Sequence, residues 1–418
     1  MGPRRLPGRR GCSPAYRFVL LIGVVSLFAD MAHEGARSIT GPFLGSLGAG
    51  ALVISLVAGL GELLGYVLRF VFGYAADRTG RYWPITLTGY LVQMAVVPLL
   101  ALAGNWVAAS VLIVAERTGR AMRNPARDAM LAHATGELGR GRVFGVREAL
   151  DAAGGMAGPL LVALVLHLRG GYRAGFAVLL VPAVLTLVVL VVARWQYPDP
   201  SDLEVVEDLP REAGLPRAFW LYLAAMGLVA LAYADYPLIA YHFGRAHVVP
   251  EAWVPVLYSV AMATEAVAAL VLGRAFDRFG LLTVVVATVL TACFAPLVFL
   301  GGAGLAVVGV MAWGLGAAAQ ETIVKSVVTG MAGKRHRASA YGLFDTGFGI
   351  CWFVGSVVLG VLYSRSITAL VVFSVVAQLA ALPLLLATRR SLGAAGRRPP
   401  PPARRPPGLA DRIEPGDD

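Results

Sequence analysis

The sequence predicts an all-α membrane protein with about twelve transmembrane helices in two six-helix, pseudo-symmetric bundles. Three observations carry that reading. Of 418 residues, 57% are hydrophobic and only 15% charged, with a mean hydropathy of +0.70, too apolar for an ordinary soluble globule. Apolar runs of ~17 to 25 residues, the length that crosses a bilayer, recur about twelve times. Finally, Gly73-Tyr74-Ala75-Ala76-Asp77-Arg78-Thr79-Gly80 returns as Gly273-Arg274-Ala275-Phe276-Asp277-Arg278-Phe279-Gly280, an offset of 200 (273 minus 73).

The chain opens on a basic tail, residues 1–16, with Arg4, Arg5, Arg9 and Arg10. A basic stretch before an apolar one resembles a signal peptide. The apolar stretch here has about 20 residues, no small-x-small site and several charges, so it is expected to stay as a first span. Spans are expected near 17–38, 50–74, 84–103, 106–126, 142–168 and 174–194, forming an N-terminal bundle over 17–194. Residues 195–216, with Tyr197-Pro198-Asp199-Pro200 and Glu204, Glu207 and Asp208, are the one long polar interruption and read as a linker. The C-terminal bundle, 217–388, holds spans near 217–243, 252–276, 281–300, 304–328, 338–363 and 367–388. Pro, Arg and Gly dominate the tail, 389–418, which is expected to be disordered.

The formal net charge of +11 follows topology rather than nucleic-acid binding. Arg78, Arg81, Arg140, Arg142, Arg278, Lys334, Arg335, Arg337, Arg389 and Arg390 fall in alternate loops on the side of the basic tail, and the opposite loops carry few cations. By the positive-inside rule both termini lie in the cytoplasm, with the chain in a plasma (inner) membrane and in contact with bilayer lipid. Cys12, Cys293 and Cys351 are odd in number and widely spaced, which suggests neither a disulfide framework nor a zinc site.

A second internal echo strengthens the repeat. Phe144-Gly145, Glu148 and Gly158 align with Tyr341-Gly342, Asp345 and Gly355, an offset of 197 (341 minus 144). Two six-helix halves joined by a cytoplasmic linker, with corresponding loops on the same side, imply parallel repeats about an axis along the membrane normal. On Gly73 to Arg81, present twice in register, the chain resembles the major facilitator superfamily over residues 16–390. The resemblance implies alternating access and a gating role for Gly73, Asp77, Arg78 and Arg81, and for their counterparts Asp277 and Arg278. Gly154-Gly155-Met156-Ala157-Gly158-Pro159 resembles that family's GxxxGP exporter element without its trailing glycine pair, so Gly158 and Pro159 join the gating candidates. Arg147 and Asp151 can pair at i, i+4, which favours an inner gate or ion-pair network, and Glu148 has its repeat counterpart in Asp345, which supports a shared interior gating role for those two.

The candidate site begins in the first span. Asp30, His33, Glu34 and Arg37 are separated by three, one and three residues and share one helical face. Charges at the bilayer centre are costly, so that face turns to a bundle interior. Glu62 in the second span, Glu116, Arg117 and Arg120 in the fourth, Asp235 in the seventh and Glu321 in the tenth complete a proton-coupling and substrate-binding set. Asp30 and Glu34 lead as proton carriers, whereas Arg123 and Arg127 are expected near the headgroups. Taken together, these features predict a secondary active transporter that exports a small solute against protons. No enzymatic constellation and no phosphate-binding loop occur, and no cofactor or nucleic acid is implied. The expected partners are the solute or ion, the proton and the bilayer, and the protein is expected to be a monomer. Two alternatives use the same residues: proton-coupled uptake, and export of a divalent transition metal held by Asp30, His33 and Glu34, with Asp235 or His242 completing the shell. A non-transporting membrane receptor or scaffold is the remote one.

Overall fold

The computed structural model describes residues 14–133, 140–198, 216–323, 327 and 337–395. Most of the basic tail, the linker from 199 to 215, Lys325, Lys334, Arg335 and the C-terminal tail from 396 lie outside the described residues. Those described are helical and make twelve spans in chain order. These are α1 (Pro14–Ser46), α2 (Ala51–Thr79), α3 (Tyr82–Leu99), α4 (Trp106–His133), α5 (Arg140–His167) and α6 (Gly171–Val178 and Leu180–Gln196). The second half holds α7 (Arg217–Ala232 and Tyr236–Arg245), α8 (Trp253–Phe279) and α9 (Leu281–Ala292 and Phe294–Phe299). It ends with α10 (Ala303–Ala318, continuing as a π turn over Ala319–Ile323), α11 (Arg337–Arg365) and α12 (Ile367–Ala395).

Eleven of these are long and apolar enough to cross a membrane, and α4 is the exception. Its composition explains why: Glu116, Arg117, Arg120, Arg123, Arg127 and Asp128 all lie in one helix. It packs on α2 and α3 nonetheless, with its charges turned inward.

Packing repeats between the halves. The pairs α1 with α5, α2 with α4 and α3 with α4 have counterparts in α7 with α11, α8 with α10 and α9 with α10. Across the halves α2 lies on α11 and α5 on α8, contacts that a shift of six helices exchanges, as a pseudo-two-fold requires.

The sequence echoes have physical roles. Gly80 and Gly280 end α2 and α8 with φ of 64° and 57°, a backbone region where a side chain is strained, and their N–H groups close on the Ala76 and Phe276 carbonyls at 2.9 and 2.7 Å. A Cβ at Gly158 would lie 2.1 Å from the Met31 carbonyl oxygen, and one at Gly355 would lie 2.2 Å from that of Leu231. Both glycines therefore let the fifth helix of a half touch the backbone of its first. Gly73 and Gly273 make no such approach: a Cβ at Gly73 would stand in ordinary contact with the Pro125 side chain at 3.4 Å and one at Gly273 would meet nothing within 4 Å, so close approach explains neither copy.

Helix α7 breaks at Tyr233–Asp235, just before Tyr236-Pro237 restarts it. Proline has no N–H to give the preceding turn and disfavours the helical region for the residue before it. The broken turn exposes carbonyls in a membrane span, where they need donors. Trp313 Nε1 donates to Ala234 at 2.9 Å and Ser374 Oγ donates to Ala232 at 2.7 Å, while Tyr233 donates back to the Trp313 carbonyl.

At the side opposite the termini the halves meet closely. A Cβ at Gly41 of α1 would collide with the Pro237 carbonyl of α7, and Gly45 abuts the Tyr241 ring. That side is closed.

Candidate functional site

The α1 face is buried, as its charge requires: Asp30 and Glu34 are each 8% exposed and His33 2%. Helical spacing sets the four ionisable groups one above another: Asp30 and His33 meet α4, Glu34 meets α4 and α8, and Arg37 meets α2 and α7.

Asp30 Oδ1 accepts from Arg123 Nη2 at 3.4 Å. That guanidinium also donates to Gln93 Oε1 (2.6 Å) and the Tyr90 hydroxyl (2.8 Å), and it lies 4.4 Å from the centre of the Tyr90 ring. Gln93 passes the contact on by donating to Glu116 Oε1 at 2.6 Å, the oxygen that His33 Nδ1 reaches at 2.7 Å. His33 Nδ1 thus donates to that carboxylate oxygen. Its Nε2 has no hydrogen-bond partner and stands 3.6 Å from Glu34 Oε1.

Glu34 crosses to the second half, where Tyr258 of α8 donates to its Oε2 at 2.6 Å. Arg120 approaches its other oxygen at 3.5 Å, and Arg37 Nη1 is 3.9 Å away. Arg37 crosses too. Its Nη2 donates to Asp235 Oδ1 of α7 at 2.7 Å and to Glu62 Oε1 of α2 at 3.4 Å. Trp352 Nε1 holds the second Asp235 oxygen at 3.2 Å, and Arg117 pairs with Glu62 at 2.9 Å. Five carboxylates (Asp30, Glu34, Glu62, Glu116, Asp235) therefore face four guanidinium groups (Arg37, Arg117, Arg120, Arg123) and one imidazole. A cavity on the closed side of this network is lined by His33, Arg37, Thr40, Glu116, Arg117 and Pro237 among others.

Nearer the termini a second network links α4, α5 and α1. Arg127 pairs with Asp128 at 2.9 Å and donates to Ser26 Oγ at 3.3 Å, and Arg147 pairs with Asp151 at 2.5 Å and lies 4.0 Å from Asp128. The expected i, i+4 pair is formed.

Nine of the ten residues of the predicted coupling set converge: Asp30, His33, Glu34, Arg37, Glu62, Glu116, Arg117, Arg120 and Asp235. Glu321 stands apart, exposed on the π turn of α10. Asp77, Arg78, Arg81, Asp277 and Arg278 are exposed at helix ends, with Asp77 3.5 Å from the Tyr82 hydroxyl. Glu148 is exposed and Asp345 half-buried. Of the residues of the metal reading only His33 and Glu34 come near each other, at 3.6 Å, with Glu34 also held by Tyr258 and Arg120; Asp30 and Asp235 are each tied to a separate partner, and His242 bonds Tyr363 at 3.0 Å. Among the described residues no group of three or more His, Cys, Asp or Glu side chains is placed to hold a metal ion.

Arg123 and Arg127 differ from expectation, at 1% and 2% exposure rather than at the headgroups. Asp30, Ser26 and Asp128 account for it, since they supply acceptors inside. Gln93, Tyr90, Tyr258 and Trp352 were not singled out from sequence. One amide in the otherwise apolar α3 was a readable signal for Gln93, whereas the three aromatic residues resemble ordinary core in sequence.

The sequence profile of the Major Facilitator Superfamily matches residues 22–248 and 218–415. An uncharacterized protein of Mycobacterium tuberculosis is 40% identical over 392 residues, covering 92% of this chain and 96% of its own length. An uncharacterized MFS-type transporter of Methanocaldococcus jannaschii is 29% identical over 363 residues, covering 83% and 89%. Among solved structures the nucleoside transporter NupG superposes with a TM-score of 0.68 at 15% identity, covering 90% of this chain and 99% of its own. A peptide transporter POT in complex with sulfate superposes at 0.72 and 15%, covering 91% and 95%. At such identities the two solved structures speak for the fold alone. The profile match spans both halves, so the chain belongs to the Major Facilitator Superfamily, a family of membrane transporters.

Proposed function

We propose that this protein is a secondary active transporter that works by alternating access and exports a small solute in exchange for protons. The observation that carries the reading is Arg37, held between Glu62 of its own half and Asp235 of the other. Opening the closed side must break the 2.7 Å contact to Asp235, and Glu62 stands ready to take the guanidinium without leaving it bare. An ion pair that can change partners couples the occupancy of the site to the separation of the halves. The small-residue turn at Gly154 and Gly158 supports export through the exporter-like element it resembles.

In this reading residues 17–194 and 217–388 move as two bodies. The cavity at His33, Arg37 and Arg117 receives the solute, and Arg147, Asp151, Glu148 and Asp345 gate the side of the termini. The positive-inside asymmetry supports cytoplasmic termini in an inner membrane. A monomer suffices, because the buried charges find their partners within one chain, and no enzymatic step is needed.

Purified protein in liposomes that trap a pH dye tests this. Tetraphenylphosphonium, a hexose, citrate and Mn²⁺ are each applied down a concentration gradient. One of them is expected to drive proton flux in the opposite direction, and Asp235→Ala should abolish it. Solute movement with no proton flux would overturn coupling, and movement of the proton with the solute would overturn export in favour of uptake.

A further inference from the structure

The carboxylates of the central network are held by arginines, which leaves open which group carries the proton. Asp30, Glu34, Glu62 and Asp235 each have a guanidinium within 3.5 Å, and Glu116 has His33 and Gln93. Such groups keep their charge through a cycle, because protonating one would strand its arginine inside the membrane.

Glu265 of α8 is different. Tyr258, Met262 and Glu265 follow at steps of four and three and so lie on one face. That face packs on the other half: Tyr258 donates to Glu34, Ser259 donates to the Met156 carbonyl at 2.9 Å, and Met262 sits beside Gly155. Glu265 extends the same face one turn toward the side of the termini. The ionisable groups in its field are Glu34 and Arg37 from α1, Glu148 from α5 and Glu321 from α10, with Tyr233 of α7 and Tyr258 of its own helix. Three of those four charged groups are carboxylates, and Arg37 is committed to Asp235. Among the described residues Glu265 has no hydrogen-bond or ion-pair partner, and it is only half exposed to its surroundings, whereas Glu148, the other unpartnered carboxylate of the inner spans, is exposed.

We infer that Glu265 is the carboxylate that carries the coupling proton, a role that rests on the proposed proton-coupled transport. While the halves enclose it, an anion there would face Glu34, Glu148 and Glu321, and Arg37, the one cation in its field among the described residues, is tied to Asp235, so binding a proton relieves the repulsion. When the cleft opens to water, hydration stabilises the anion and the proton leaves. One proton is bound and one released per cycle, with no other bond changed. Tyr258 links this group to the central network, because the helix face that carries Glu265 also holds Glu34, which stands 3.6 Å from His33 of the cavity wall.

Two measurements on the full-length protein in lipid test the inference. Infrared spectroscopy near neutral pH should show the deuterium-sensitive C=O stretch of a protonated carboxyl group, lost in Glu265→Gln and retained in Glu148→Gln. In the dye-loaded liposomes, Glu265→Gln should lose solute-driven proton flux yet keep exchange of labelled for unlabelled solute, which also shows that the variant is folded. Glu265→Asp should restore part of the flux. A carboxyl band or a proton flux unchanged in Glu265→Gln overturns this assignment alone. Absence of proton flux in the wild type overturns it together with proton coupling.

Discussion

At the scale of single residues the membrane interior permits charge only where charge answers it, and Arg123 shows the consequence. It is almost fully buried and joins Asp30, Gln93 and Tyr90. Removing one member of a buried ion pair costs about 3–5 kcal/mol, because the partner is left uncompensated. Arg123→Ala is therefore expected to lower the melting temperature of the solubilised protein sharply. Replacing the pair together, Arg123→Met with Asp30→Leu, should recover most of the loss. A double variant as unstable as the single one would mean that Arg123 acts through Gln93 and Tyr90 rather than through Asp30. The α1 face was legible because one helix carries all four residues at helical spacing. Its partners were not, since Glu116, Asp235 and Tyr258 lie 83, 198 and 224 residues away from theirs. Spacing along one chain segment fixes a face, and only packing decides what the face meets. Arg123 was misplaced for the same reason: depth in a helix suggested the headgroups, but Asp30 offered an acceptor inside.

At the scale of elements, small residues and broken turns determine how closely helices can approach. Gly154 and Gly158, four residues apart, put α5 against the α1 carbonyls of Leu27 and Met31, each 2.1 Å from a hypothetical Cβ. Even alanine must displace backbone there, and overpacking of this kind costs about 1–3 kcal/mol. Gly158→Ala and its counterpart Gly355→Ala should destabilise by similar amounts in thermal unfolding, whereas Gly273→Ala, which meets open space, should be neutral. The repeat in the sequence thus announced a shared contact at Gly158 and Gly355, whereas Gly73 and Gly273 make no comparable approach. The break in α7 supplies a second test. Trp313→Phe keeps the ring but removes the donor to the Ala234 carbonyl, leaving a buried acceptor unpaired at a cost of about 1–3 kcal/mol. The break itself was half legible, in Tyr236-Pro237, but the donors that make it tolerable come from α10 and α12.

At the scale of the whole molecule, two ends of one cleft compete. The fold class, the two bundles and the repeat were readable because hydropathy and self-similarity are properties of the entire chain, whereas the state it adopts depends on small differences between interfaces. In the state seen here the far side is held by Arg37 with Asp235 and by the contact of Gly41 with Pro237. On the side of the termini the repeated loop is idle: Asp77 is exposed and, among the described residues, its hydrogen bond is to the Tyr82 hydroxyl at 3.5 Å. A latch that is unmade in one state stabilises only the other. Asp77→Asn should therefore leave the stability of this state unchanged and raise its population, so that a cysteine at Thr40, which lines the far-side cavity, reacts more slowly with a membrane-impermeant thiol reagent. Arg37→Ala should do the reverse and speed that reaction, because the contact it removes is made only while the far side is closed. The double variant Asp77→Asn with Arg37→Ala should react at an intermediate rate, since the two changes act on opposite states and their effects on the equilibrium add. A rate in the double variant equal to that of Arg37→Ala alone would place Asp77 outside the equilibrium and leave the far-side ion pair as its sole control.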